Sequence, residues 1–216
     1  MAGDWKPWTR EALAARVAQD IPEGWYVNLG IGIPTLVGNC VPPDREVVLH
    51  SENGIVGMGP APAPEALNPW LVNASRQHVT LRTGASYMNH ADSFGLVRGG
   101  HLDLCVLGGF QVAENGDLAN WSRSQTDNAP AIGGAMDLAV GAKRIWVVME
   151  HTTKSGEKRL LRRCTYPLTA TGCTKRVYTD LAVIDVTDKG FVVVDTVPGL
   201  PFDELQARTD APLRQA

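Results

Sequence analysis

The chain has 216 residues, 44% of them hydrophobic, with 20 Lys and Arg against 23 Asp and Glu and a formal charge of −3. A single domain of this length buries a sizeable core without help from disulfides or metals, and a mildly acidic balance leaves no basic field for nucleic acid or an anionic membrane. No apolar run approaches a bilayer span, and Met1 to Arg10 lacks the apolar centre of a secretory signal, so the expectation is a cytoplasmic protein with no membrane and no nucleic-acid partner.

Thr9 to Ile21 reads as an amphipathic helix, with Thr9 as cap, Glu11 in the first turn and Leu13, Val17 and Ile21 on one face. It stops before Pro22-Glu23-Gly24. Tyr26 to Leu29 is then an apolar strand leading through Gly30-Ile31-Gly32 into a helix that Pro34 begins. Glycines at such a turn let a ligand approach the backbone. Gly30-x-Gly32 lacks the third glycine and the later acid of a dinucleotide fingerprint, which disfavours a nicotinamide cofactor and leaves turn geometry as the simpler explanation.

Val47 to Pro60 is the most informative stretch. Its apolar run ends in His50-Ser51-Glu52-Asn53-Gly54, a buried strand turning sharply at its carboxyl end, where open α/β sheets hold their ligands. Glu52 is then aimed into a crevice; the alternative is a solvated acid at a strand end. His50 and Ser51 do not suggest a serine hydrolase, because neighbours on a strand point to opposite faces and no G-x-S-x-G frames the serine. Pro60-Ala61-Pro62-Ala63-Pro64 is a stiff surface connection that would border the crevice.

His78 to Arg82 is expected as a short strand, His90 to Val97 as a helix with Asp92 or Ser93 near its start, and Leu102 to Val112 as a strand interrupted by Gly108-Gly109. Asn115-Gly116 makes a turn, and the polar stretch from Ser122 to Pro130 reads as a mobile loop. Gly133-Gly134 opens a short helix, which either leaves first-turn N–H groups for an oxygen ligand or simply permits close packing. Ile145 to Met149, Leu181 to Val186 and Phe191 to Val197 supply further strands, with a hairpin turn at Asp188-Lys189-Gly190.

This order implies one α/β domain over residues 1–216, a mostly parallel sheet flanked by helices with an antiparallel hairpin near the C-terminus. Cys40, Cys105, Cys164 and Cys173 are scattered and the histidines show no ligand spacing, so no metal site is expected.

Five motifs in order then carry a resemblance: Asn28-Leu29-Gly30-Ile31-Gly32, Ser51-Glu52-Asn53-Gly54, Arg98-Gly99-Gly100-His101-Leu102-Asp103, Gly116-Asp117-Leu118-Ala119-Asn120-Trp121 and Gly133-Gly134-Ala135-Met136-Asp137-Leu138. Over nearly its whole length the chain resembles the β subunits of the two-subunit 3-oxoacid CoA-transferase family. The resemblance implies an α subunit as partner, in a heterodimer or heterotetramer, and no cofactor beyond coenzyme A carried as a substrate thioester. It implies that Glu52 is the covalent nucleophile, that Gly133 of the glycine pair gives a backbone donor to the oxyanion with Gly134 beside the substrate, and that the α subunit supplies a second donor.

Asn28 either positions Glu52, binds CoA or merely caps the turn after it. Arg76 stands where relatives carry a basic residue that contacts CoA phosphates, a role that suits a guanidinium; a solubilising surface charge is the other reading. Asn53 and Gly54 set the turn, with Asn53 placed to hydrogen-bond the nucleophile. Ser93-Phe94, Phe110-Gln111-Val112, Cys164 to Thr169 and Tyr178 to Val183 resemble the 3-oxoadipate-using branch, and Ser122 to Pro130 replaces the Lys-containing, Met-rich stretch usual in acetoacetate-using relatives. The implied reaction takes CoA from succinyl-CoA to a 3-oxoacid, 3-oxoadipate first and acetoacetate as the alternative acceptor. An acyl-CoA hydrolase and a non-catalytic binding subunit are the readings outside transfer.

Overall fold

A computed structural model describes residues 5–124 and 131–216; of the polar loop expected from Ser122 to Pro130, residues 125–130 lie outside the described residues. In chain order the elements are α1 (Arg10–Asp20), β1 (Tyr26–Leu29), α2 (Ile33–Val37), β2 (Val48–Ser51), β3 (Ile55–Met58), β4 (Leu81–Tyr87), α3 (His90–Arg98), β5 (Leu104–Gly108), β6 (Gln111–Ala113), β7 (Leu118–Ala119), α4 (Ala135–Gly141), β8 (Ile145–Met149), β9 (Leu160–Leu161), β10 (Thr174–Thr179), β11 (Ala182–Thr187), β12 (Gly190–Thr196), α5 (Phe202–Ala207) and β13 (Leu213–Gln215). The main sheet has ten strands in the order β13-β12-β11-β10-β8-β5-β1-β2-β3-β4, and β7-β6-β9 form a small second sheet. From β10 to β2 every neighbour is parallel. Antiparallel pairs extend both ends, among them the expected β11–β12 hairpin.

Both faces of the central strands are covered, and β8 is buried at every position, as a parallel sheet between helices requires. Val27, Leu49, Leu104 and Val106 point to one face, where Leu13, Ala14, Val17 and Ala18 of α1 cover them. Thr9 caps that helix, its Oγ1 accepting from the Ala12 amide at 3.2 Å. Cys105, Leu107 and Val147 point to the other face, against Val97 of α3, Leu138 and Ala139 of α4 and Val112, Leu118 and Leu160 of the small sheet.

One expected strand is displaced, and two further strands have no place in the sequence reading. The strand placed at His78 to Arg82 runs instead from Leu81 to Tyr87, and His78 makes only an isolated bridge to Val72. It is the outer strand of the sheet, largely exposed, so its sequence lacks the apolar alternation of a half-buried strand. Second, the chain beyond the Glu52 turn folds back at once as β3 against β2, a return that the glycines Gly54, Gly57 and Gly59 obscure in the sequence. Third, β10 is absent from the sequence-based order of elements because Lys175 and Arg176 break its apolar pattern. Arg176 is nonetheless held within the fold, donating to Asp185 at 3.1 Å and Asp20 at 3.2 Å with its guanidinium 5.7 Å from the Trp146 ring centroid.

The contact that sets the site is the crossing of α3 and α4. Gly141 ends α4 so close to α3 that a Cβ there would stand 2.4 Å from the Val97 carbonyl oxygen. Adding that methyl forces the helices apart. Gly141→Ala is therefore expected to destabilise the chain by about 1–3 kcal/mol, the usual size of an overpacking defect, read as a lower urea midpoint with an unchanged m-value.

Candidate active site

β2 ends at Ser51, and the turn Glu52-Asn53-Gly54 follows at the carboxyl end of the parallel strands. Gly54 adopts φ 111° and donates to the Ser51 carbonyl at 2.9 Å, while its own carbonyl accepts from Met88 N at 2.9 Å. A side chain is impossible there, since a Cβ would lie 2.1 Å from the Met88 carbonyl oxygen. Asn53 donates from Nδ2 to the Val72 carbonyl at 2.8 Å, so it ties the turn to the following loop and does not reach Glu52. Ser51 turns to the opposite side from its neighbours, its Oγ accepting from Ala74 N at 2.9 Å.

Glu52 points toward α3 and α4. A Cβ built on Gly134 would stand 3.2 Å from Glu52 Oε2 and 2.5 Å from the Phe94 ring, so the carboxylate and the ring occupy space that any other residue at 134 would fill. The carboxylate is half-buried and has no hydrogen-bond partner among the described residues. Burial raises its pKa above the ordinary value, opposed in part by nearby His90. Gly133, at φ 52°, faces open space, and neither its amide nor that of Gly134 donates to a described residue. The glycine pair thus sits before the first turn of α4 with two unengaged donors beside the carboxylate.

A buried polar chain lies beneath. Cys105, Asn28 and His50 are aligned across β5, β1 and β2. Cys105 Sγ donates to Asn28 Oδ1 at 3.4 Å, Asn28 Nδ2 lies 3.0 Å from His50 Nδ1, and His50 Nε2 lies 2.9 Å from Ser93 Oγ on α3. Burial pushes His50 down to about 4, so it is neutral at physiological pH. Asn28 is 1% exposed and belongs to this chain of contacts; it does not line the cleft above.

That cleft has a volume of about 1470 Å³ and opens over the carboxyl ends of β2, β1, β5 and β8, with Glu52, Gly30, Gly32, Phe110, Gly133 and Gly134 in its wall. Ala74 and Ser75 line it, whereas the Pro60 to Pro64 segment does not. Arg76 is exposed beside them, on a tight turn with φ 61° closed by its amide to the Asn73 carbonyl at 2.9 Å. It stands at the rim, off the lining.

The structure therefore brings Glu52, Gly133 and Gly134 together, places Asn53 and Gly54 in the turn that aims the acid, and sets Asn28 below and Arg76 outside. Sequence reasoning did not place Phe94 and His90 at the site; their rings lie tilted at 60° to one another on α3 beside Glu52, with centroids 4.9 Å apart. A helix assigned only by its limits gives no sign of which face meets a strand end far away in sequence; the pairing of aromatic residues at positions 90 and 94 was the one available signal. Among the described residues no group of three or more His, Cys, Asp or Glu side chains gathers to hold a metal, and no helix is long and apolar enough to cross a membrane.

Comparison with known proteins bears on this geometry. The model of the Coenzyme A transferase family matches residues 10–207. The B subunit of 3-oxoadipate CoA-transferase from Pseudomonas putida is 56% identical over 96% of this chain and 97% of its own length. The B subunit of succinyl-CoA:3-ketoacid coenzyme A transferase from Helicobacter pylori is 44% identical over 94% of this chain and 97% of its own. An acyl-CoA transferase crystal structure from Escherichia coli O157:H7 shares the fold, with a TM-score of 0.76 at 19% identity; the match covers 99% of this chain and 43% of that one.

The raised pKa of Glu52 has a consequence for stability. A carboxyl whose folded pKa lies above its ordinary value of 4.5 favours the fold while protonated and costs stability as pH rises through the folded pKa. Glu52→Gln is therefore expected to be more stable than the parent near neutral pH, with the gap narrowing as pH falls through the raised folded pKa and closing once pH is below the ordinary value of 4.5. Urea midpoints measured across that range test it; curves that stay parallel throughout would mean the carboxylate is as well solvated in the fold as outside it.

Proposed function

The chain belongs to the coenzyme A transferase family, and from that premise we propose that it is the β subunit of a 3-oxoadipate CoA-transferase that takes CoA from succinyl-CoA by way of a covalent thioester on Glu52. The observation that carries this reading is the half-buried Glu52 carboxylate, without a hydrogen-bond partner among the described residues, beside two unengaged glycine amides. A carboxylate so placed attacks the succinyl-CoA carbonyl, forming a mixed anhydride and releasing the CoA thiolate. The thiolate attacks the glutamyl carbonyl, succinate departs and a glutamyl-CoA thioester remains. The acceptor carboxylate then attacks that thioester, and the two steps run in reverse to give the new acyl-CoA and free Glu52. No bond energy is lost to water, so coenzyme A as substrate suffices and no further cofactor enters.

Each acyl step passes through a tetrahedral oxyanion. A fixed N–H donor at Gly133 would lower such a barrier by ~3 kcal/mol, and burial of Glu52 raises its basicity, hence its strength as a nucleophile once ionised. The second donor belongs to an α subunit, the partner that fits the naming of the relatives as B subunits. The cleft is open on this chain alone, and water entering it would hydrolyse both anhydride and thioester. The preference for 3-oxoadipate among 3-oxoacids rests on the higher identity to the P. putida protein, named for 3-oxoadipate, than to the H. pylori one, named for 3-ketoacids in general. We place the reaction in the cytoplasm, where acyl-CoA pools are formed and used.

Reconstituted with its α subunit and given succinyl-CoA, the enzyme is expected to accumulate a borohydride-sensitive thioester that maps to Glu52 by peptide mass. Glu52→Ala is expected to lose both the adduct and at least about 10³-fold in kcat, the scale of removing a covalent nucleophile. An adduct on another residue, or one undiminished in the variant, overturns the assignment, and release of free thiol without an acceptor would indicate a hydrolase. The chain without an α subunit is expected to show little transfer; full turnover alone would refute the half-site.

A further inference from the structure

With no hydrogen-bond partner among the described residues, the Glu52 carboxylate takes its direction from packing, and the side chain that shares with it the space in front of Gly134 is the Phe94 ring. From the contacts beneath the site we infer that His50 and Ser93 are positioning residues for the transfer: their hydrogen bond ties the strand that carries Glu52 to the helix that carries Phe94, and so keeps the acid turned toward the glycine amides. This rests on the reading of Glu52 proposed above.

His50 stands two residues before Glu52 and, like it, points toward α3, where Ser93 immediately precedes Phe94. Both His50 and Ser93 are 0% exposed, with His50 Nε2 2.9 Å from Ser93 Oγ. The proton positions follow from the partners. An amide nitrogen only donates, so Asn28 Nδ2, 3.0 Å from His50 Nδ1 and 3.3 Å from the His50 carbonyl oxygen, makes Nδ1 an acceptor. The neutral ring then carries its one proton on Nε2 and donates it to Ser93 Oγ. Cys105 Sγ, donating to Asn28 Oδ1 at 3.4 Å, fixes the amide the same way round. Each imidazole nitrogen has its own partner, so the ring is not free to turn.

A second tie runs alongside. Met88 N donates to the Gly54 carbonyl at 2.9 Å, joining the lead into α3 to the turn that follows Glu52. That bond is made by backbone alone and holds the segment before the helix; the His50–Ser93 bond holds the helix itself, one residue from the ring. Elsewhere α3 is anchored through Val97, one turn further on, which packs in the core and against Gly141. Loss of the His50–Ser93 bond therefore loosens the seat of Phe94 without removing the helix, and a shift of about 1 Å at a reacting group is enough to cost roughly 100-fold in rate.

The test is single-turnover formation of the Glu52 thioester by the reconstituted enzyme over a range of succinyl-CoA concentrations. His50 and Ser93 are buried and off the lining of the cleft, so a positioning role shows in the maximal rate and not in the half-saturating concentration. Ser93→Ala, which deletes the acceptor alone, is expected to slow the maximal rate by roughly 10- to 100-fold, with half-saturation and the final amount of adduct unchanged. His50→Gln, whose neutral amide can accept from Asn28 and donate to Ser93, is expected to stay close to the parent. An unchanged maximal rate in Ser93→Ala, or the same loss in His50→Gln, overturns the assignment. So does a final amount of adduct that falls with the rate, which would mean that the bond serves folding alone. Absence of any Glu52 adduct in the parent instead overturns the covalent reading beneath it, so the two failures are distinguishable.

Discussion

At Gly134 the missing side chain lets the Glu52 carboxylate and the Phe94 ring share the space in front of α4, where a Cβ would stand 3.2 Å from one and 2.5 Å from the other. The same seven-residue helix ends at Gly141, whose own missing side chain lets it lie against the Val97 carbonyl of α3. One glycine brings the helix down onto α3; the other brings its first turn up to the acid. The ion pair of Arg98 with Asp137, at 2.9 Å through both Nε and Nη2, also joins the two helices. It is solvent-exposed, so its worth is small, and close packing rather than charge fixes the position of the glycine amides.

The underside of the site solves a different problem. A histidine and an asparagine in the middle of a sheet would be costly if left unsatisfied, yet each polar atom of the Cys105–Asn28–His50–Ser93 chain has a partner. The chain spans three adjacent strands and one helix, so it locks the ends of β5, β1 and β2 against α3 as a unit. Because His50 is held neutral, it adds no positive charge beneath Glu52. Burial therefore governs the carboxyl, and a carboxylate of raised basicity stands above a polar layer.

Much of this is legible in the sequence because it is local. The capped first helix, the strand that ends in Glu52, the glycine pair opening α4 and the hairpin at Asp188 all announce themselves through neighbours in the chain. What is not legible depends on distant residues. β10 hides its burial behind Arg176, whose charge is satisfied by Asp20 and Asp185 from other elements, and β4 hides because an outer strand needs little apolar surface. At the site, Glu52 and the glycines are recognisable as residue types, but that Gly134 abuts the acid and that Asn28 faces His50 below follow from strand order and helix crossing, which no local pattern encodes. Adjacency in sequence suggests that Asn53 hydrogen-bonds Glu52; it serves the turn instead, because the Val72 carbonyl brought near by the following loop competes for it.

The size of the cleft bears on why such a reaction would be shared between two polypeptides. At about 1470 Å³ it exceeds the 300–1,000 Å³ of ordinary small-molecule sites, far more than a six-carbon acid fills. The surplus suits a long thioester carrier lying along the strand ends together with part of another chain. A glutamyl thioester is only useful if water reaches it more slowly than the acceptor does, and an open groove cannot ensure that. A covering partner would exclude water and bring the second oxyanion donor in the same motion, so the enzyme-bound thioester would form only where it is already protected. On this view the chain holds the nucleophile ready at the cost of a desolvated carboxylate, and its partner determines when that readiness becomes chemistry.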